Sequence, residues 1–169
     1  TLVGMGIDSL LWVPTEAEAE LSEWLSITRI PVAVVTQVSR FFNSVSINQD
    51  RGAESIAEHF IHTGHLSFGF VAQEGVDSRK VSSYSKKIAS HGLKLAKDNS
   101  FWIAKGEGEK ISGHISILDE IIEKLSEPTR TCTCLLVYND IAANYIIDGL
   151  KEKNISVPED IAIASFDNT

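Results

Sequence analysis

Short apolar, β-favouring runs and helix-patterned stretches take turns along almost the whole chain, and this alternation constrains the fold more than any other feature. The runs are Ser9–Val13, Val32–Val35, Val45–Ile47, Leu66–Ala72, a weaker Phe101–Ala104, Leu135–Tyr138 and Ile161–Ala164. Between them lie apolar stripes at helical spacing: Ala53, Ile56, Ala57, Phe60 and Ile61; Val81, Tyr84 and Ile88; Ile115, Leu118, Ile122 and Leu125; Ala142, Ile146 and Gly149 or Leu150. Thr15 to Glu18 reads as a capping box after Pro14, ahead of Leu21, Trp24 and Leu25. Gly64, Gly92 and Asn154 stand where helices should stop. Strands separated by helices pair in parallel, so the pattern specifies an α/β fold with helices covering both faces of parallel sheets. After Val32–Val35 the helix is missing, and Thr36–Ser44 passes directly to another short strand before the alternation restarts at Gly52. That break divides the chain into two lobes, residues 1–49 and 50–165, with 166–169 starting a return crossover.

Charge and motif content exclude several classes of function. Acidic residues outnumber basic ones 23 to 15, for a formal charge of −8, and no basic run exceeds pairs such as Arg79-Lys80. A surface of that sign repels phosphate backbones, so the chain's own residues are not expected to grip DNA. No apolar run approaches the roughly 20 residues of a bilayer span, and no membrane partner is expected. Cys132 and Cys134, one residue apart, point opposite ways in an extended chain. They read as free thiols, which favours the cytoplasm. There is no G-x-S-x-G elbow, glycine-rich phosphate loop or H-E-x-x-H helix, so an enzyme is not expected and no cofactor is called for. His59, His62 and His65 are three apart, but no neighbouring cysteine or carboxylate completes a ligand set, and a metal site is not expected either.

The informative residues are those at the carboxyl ends of the strands, where open α/β sheets bind their ligands. They include Thr15, Thr36 and Gln37, Asn48 and Gln49, Gln73 and Glu74, Asn139 and Asp140, and Asp167 and Asn168. Amides and carboxylates in such numbers suit the paired hydrogen bonds that vicinal hydroxyls or a base edge require. The competing reading is local: Asn139 or Asp140 caps its helix and Asp167 begins a turn.

From Leu135 onward, the order of an apolar strand, Asn139-Asp140, a helix, Val157-Pro158-Glu159-Asp160-Ile161 and a strand closing on Phe166-Asp167 resembles the effector-binding domain of LacI/GalR-type transcriptional regulators. Upstream, the Gly52-Ala53 helix start and the Gly64-His65 turn are similar to that family too, and the likeness spans essentially the whole chain. The resemblance implies a two-lobed, periplasmic-binding-protein-like fold, incomplete here at both ends. It also implies a small polar effector, a sugar or sugar phosphate, held between the lobes. Carried over, the ligand contacts fall on Asp140, Asn139 and Asp167, with Phe166 or Trp12 as a ring face, Asn48 from the first lobe, and Arg79 or Lys80 facing any anionic group. Tyr138, where the family carries a small residue, should intrude on the pocket or stack within it. The same likeness implies a homodimer that reads DNA through a helix-turn-helix not present in this chain. Two further readings share the fold: a periplasmic sugar-binding protein of a transporter, and the sensor of a xylose regulator of AraC type.

Overall fold

The computed structural model describes residues 4, 6–14, 22–23, 25, 27, 30–36, 38–104 and 114–167. The chain forms two compact units, Thr1–Asn48 and Gln49–Thr169. The division falls one residue before the boundary read from the sequence, and Phe166 and Asp167 lie in the second unit. Among the described residues all strands pair in parallel, as the alternation requires.

The first unit contains β1 (Leu10–Trp12), β2 (Val32–Thr36) and β3 (Asn43–Ser46), in the order β1-β2-β3. Parallel neighbours normally need a long crossover. Here the strands are so short that the return from Thr36 to Asn43 covers only ~13 Å, within reach of the six residues between them. β3 begins earlier than its apolar residues suggest, because pairing with Ala33 to Thr36 defines it rather than burial: all four of its residues are exposed. The capping box at 15–18 and Trp24 lie outside the described residues, while Leu25 is buried.

The second unit is a four-stranded sheet ordered β5-β4-β6-β7, with β4 at Phe68–Gln73, β5 at Leu95–Ile103, β6 at Cys134–Val137 and β7 at Ala162–Ser165. Its helices are α1 (Gln49–His62), α2 (Ser78–Ser90), α3 (Ile115–Ser126) and α4 (Asp140–Glu152). The pleat sends Val71, Leu135 and Val137 to a core shared with Leu118 and Ile122 of α3 and Ile146 and Leu150 of α4. The residues between them, Phe68, Phe70, Ala72, Cys134 and Leu136, join Ala53 and Phe60 of α1 and Tyr84 and Ile88 of α2 on the other face. Burial on both faces explains why β4 and β6 read as unbroken apolar runs. Gly69 is needed at the centre: a methyl group there would meet the Asn99 carbonyl and Cys132 Sγ at 2.8 Å. The helices stop as their sequences indicate, with φ of +89° at Gly64, +75° at Gly92 and +61° at Asn154.

β5 is the main departure from the sequence pattern, running from Leu95 to Ile103 where the sequence offered only a weak run at Phe101–Ala104. Its register against β4 slips between Phe68 and Phe70, so the polar Lys97–Asn99 stretch is taken up in a bulge. Both cysteines are free and buried, and burial pushes the Cys132 thiol up to about 11.

Candidate functional site at the strand ends of the second unit

The carboxyl ends of β4, β6 and β7 lie side by side, since Val71 pairs with Val137 and Val137 with Ser165. The residues that follow these strands therefore meet. After β4 the chain turns through Gln73–Asp77 and enters α2. Asp77 occupies the N-cap position but does not cap. One carboxylate oxygen accepts the Gln73 N–H at 2.9 Å, and the other receives Lys80 Nζ at 2.9 Å. The pair is almost dry, with side-chain exposures of 3% for Asp77 and 12% for Lys80. Lys80 Nζ also lies 4.6 Å from the centre of the Phe166 ring. Phe166 in turn rests on α1, where a methyl group at Gly52 would approach its Cε1 to 3.1 Å.

Beside this cluster stands Tyr138, buried at the end of β6 within the core under α3 and α4. Its hydroxyl is 3.2 Å from His114 Nδ1, and His114 is itself buried at the start of α3. Burial holds the Tyr138 hydroxyl above its ordinary range, with the Asp77 charge adding to the effect. Asp77, Lys80, Tyr138 and Phe166 line a small open pocket of about 10 Å³ together with apolar residues of β4 and β6, room for one water at most.

The other residues singled out from sequence are placed as follows. Asn139 caps α4, its Oδ1 accepting the Ala142 N–H at 2.9 Å. The cap occupies that oxygen and leaves the amide group as Asn139's donor. Asp140 is half-buried in the first turn of α4, and Asp167 is exposed just past β7 with a φ of +89°. Thr36, at the end of β2, also has a positive φ, of +85°. Positive φ is uncommon outside glycine, though Asp and Asn adopt it more readily than other residues. Arg79 points elsewhere: it is 79% exposed and pairs with Asp50, which also accepts from Ser83 at 3.2 Å. Asn48 and Trp12 belong to the first unit, where Asn48 is exposed and Trp12 packs edge-on to Phe42 at 6.4 Å. Thr15, Gln37 and Asn168 lie outside the described residues.

Sequence reasoning missed Asp77 and His114. Neither residue belongs to a motif or follows a strand run directly. The histidine series at 59–65 separates: His59 and His62 are exposed at the end of α1, and His65 Nδ1 is 3.1 Å from Thr133 Oγ1. Among the described residues, no three histidine, cysteine or carboxylate side chains are grouped to hold a metal ion. No helix of the described residues is long and apolar enough to cross a membrane.

The profile of the periplasmic binding protein-like domain family matches residues 57–169, well over half of the chain. The chain belongs to that family. Its curated relatives include the catabolite control protein A of Priestia megaterium, 26% identical over 99% of this chain and 50% of the relative. Another is the HTH-type transcriptional repressor PurR of Actinobacillus pleuropneumoniae, 24% identical over 99% of this chain and 49% of the relative. The chain thus spans about half the length of the curated relatives it matches. Among solved structures, a LacI family transcriptional regulator from Lactobacillus casei with bound sucrose superposes with a TM-score of 0.77. That match, at 18% identity, covers 99% of this chain and 61% of the other. The resemblance to LacI-type effector-binding domains read from Asn139-Asp140 and Val157–Ile161 therefore holds for the fold, and the relatives are regulators rather than enzymes.

Proposed function

We propose that this chain is the effector-sensing part of a bacterial LacI-type transcription regulator and takes a small polar ligand, a sugar, at the strand-end edge of its second unit. The observation that carries the reading is the convergence of Asn139, Asp140 and Asp167 on one edge of a parallel sheet. Carboxylates accept from sugar hydroxyls, and the Asn139 amide donates to them. Phe166 brings aromatic surface to the same edge. The relatives' role as regulators, and the sucrose bound to one structural neighbour, support the same reading. Binding drives a switch only to the extent that the ligand favours one conformation of the protein over another. The switch is read out as DNA binding by a helix-turn-helix outside this chain, in a cytoplasmic homodimer.

Isothermal titration of the intact protein with neutral mono- and disaccharides tests this. Asp140→Ala and Asp167→Ala should each weaken the bound sugar by ~1–3 kcal/mol. Unchanged affinity in both variants would reduce Asp140 to a helix-start residue and Asp167 to a turn.

A further inference from the structure

Tyr138 is the first residue past β6, and Asn139 and Asp140, two of the effector contacts proposed above, come next in the chain. We propose that Tyr138 and His114 are a pair of positioning residues, tying the exit of β6 to the start of α3 so that Asn139 and Asp140 meet the effector in a fixed orientation. The inference rests on the sensing function proposed above and assigns that site its supporting side chains.

His114 is the fixed end of the pair. Its carbonyl accepts the N–H groups of Ile117 and Leu118 at 3.1 and 2.9 Å, which joins the residue to α3. Leu118, Ile121 and Ile122 of α3 lie in the same buried cluster as Tyr138, so the helix cannot shift without disturbing a close-packed core. The Tyr138 hydroxyl stands 3.2 Å from His114 Nδ1, and the two rings meet edge-on with centroids 6.2 Å apart. Exposure is only 7% for Tyr138 and 3% for His114, so water competes little for the bond between them. Burial and the Asp77 charge hold the hydroxyl above its ordinary range, and it keeps its proton at neutral pH. Beyond Tyr138, Asn139 Oδ1 accepts the Ala142 N–H at 2.9 Å. Asn139 is thereby held twice, to α4 by its own cap and to α3 through Tyr138.

Stability alone does not account for the histidine. Its ring does not cap α3, and its Nε2 is buried with no hydrogen-bond partner among the described residues. A buried polar atom left unpaired destabilises a fold, so apolar side chains filling the same space would hold the core better. A hydrogen bond between two buried side chains fixes direction as well as contact, which is what groups that orient a ligand contact need.

The test combines hydrogen-exchange mass spectrometry and calorimetry on the intact protein, with neutral mono- and disaccharides as the probes. In Tyr138→Phe, which keeps the ring and removes the hydroxyl, exchange across residues 138–143 should quicken about tenfold and sugar affinity should fall about tenfold. His114→Ala should match it, while His114→Asn, whose amide takes the place of Nδ1, should stay within about threefold of the native protein. Ile88→Val, in the core on the other face of the sheet, should lower the melting temperature and leave both readouts unchanged. A Tyr138→Phe protein that melts lower yet keeps native exchange and native affinity would overturn the positioning role and leave the sensing function in place. If the native protein binds no sugar, the sensing function falls and this role with it. Should Tyr138→Phe fail to fold, His114→Ala against His114→Asn makes the same comparison from the other partner.

Discussion

The two units are built from the same kind of strand, yet they bury their side chains very differently. In the second unit every residue of β6 is buried, and β4 is buried along all but its last residue. In the first, β3 is exposed throughout, and only Val34 is buried on β2. Large apolar residues lie open there in numbers: Leu11, Val13, Ile27, Val38, Phe41, Val45 and Ile47 are each at least 60% exposed. Strand-forming sequence and a completed layer are therefore separate properties. Pairing with β2 suffices to define β3, but the stabilisation that comes from covering a sheet on both faces is seen among the described residues only in the second unit.

That contrast can be broken most directly by truncating one side chain in each unit. Phe68→Ala should cost ~3–5 kcal/mol in chemical denaturation followed by circular dichroism, whereas Val45→Ala should stay within ~0.5 kcal/mol. Equal losses would mean that β3 is covered after all. Gly69→Ala comes next: its methyl group meets backbone and sulfur at 2.8 Å, and a loss of ~1–3 kcal/mol is expected by the same assay. Asn139→Ala removes the α4 cap and should cost ~1 kcal/mol, with Asn139→Asp restoring most of it. The smallest effect concerns His65. Partial burial, and then the nearby His59, lower its pKa below the ordinary 6.5. As pH falls through about 6.5 the unfolded chain takes up a proton first, so stability declines until folded His65 is protonated as well. Melting curves between pH 7.5 and 5.5 should therefore slope less steeply in His65→Gln than in the native protein.

The sequence revealed most where burial was symmetrical. β4 and β6 could be read directly because a strand covered on both faces has no polar alternation to disguise it. The helix stops at Gly64, Gly92 and Asn154 were legible because left-handed backbone favours few residue types. β5 was read short because its bulge accommodates Lys97, Asp98 and Asn99, which look like a loop. At the strand-end edge, Asn139, Asp140 and Asp167 were visible from their positions alone. The Asp77–Lys80 pair was not, since a polar helix start gives no sign that Phe166, from the far end of the unit, will close over it. The contact of Tyr138 with His114 was hidden for the same reason, as it joins residues that no local pattern connects.

The seat that Gly52 offers to the Phe166 ring has a practical consequence. It brings the first turn of α1 against the end of β7, so a bulkier side chain at position 52 would displace the ring that lies 4.6 Å from Lys80 Nζ, and a change at a helix start would be felt at the strand-end edge.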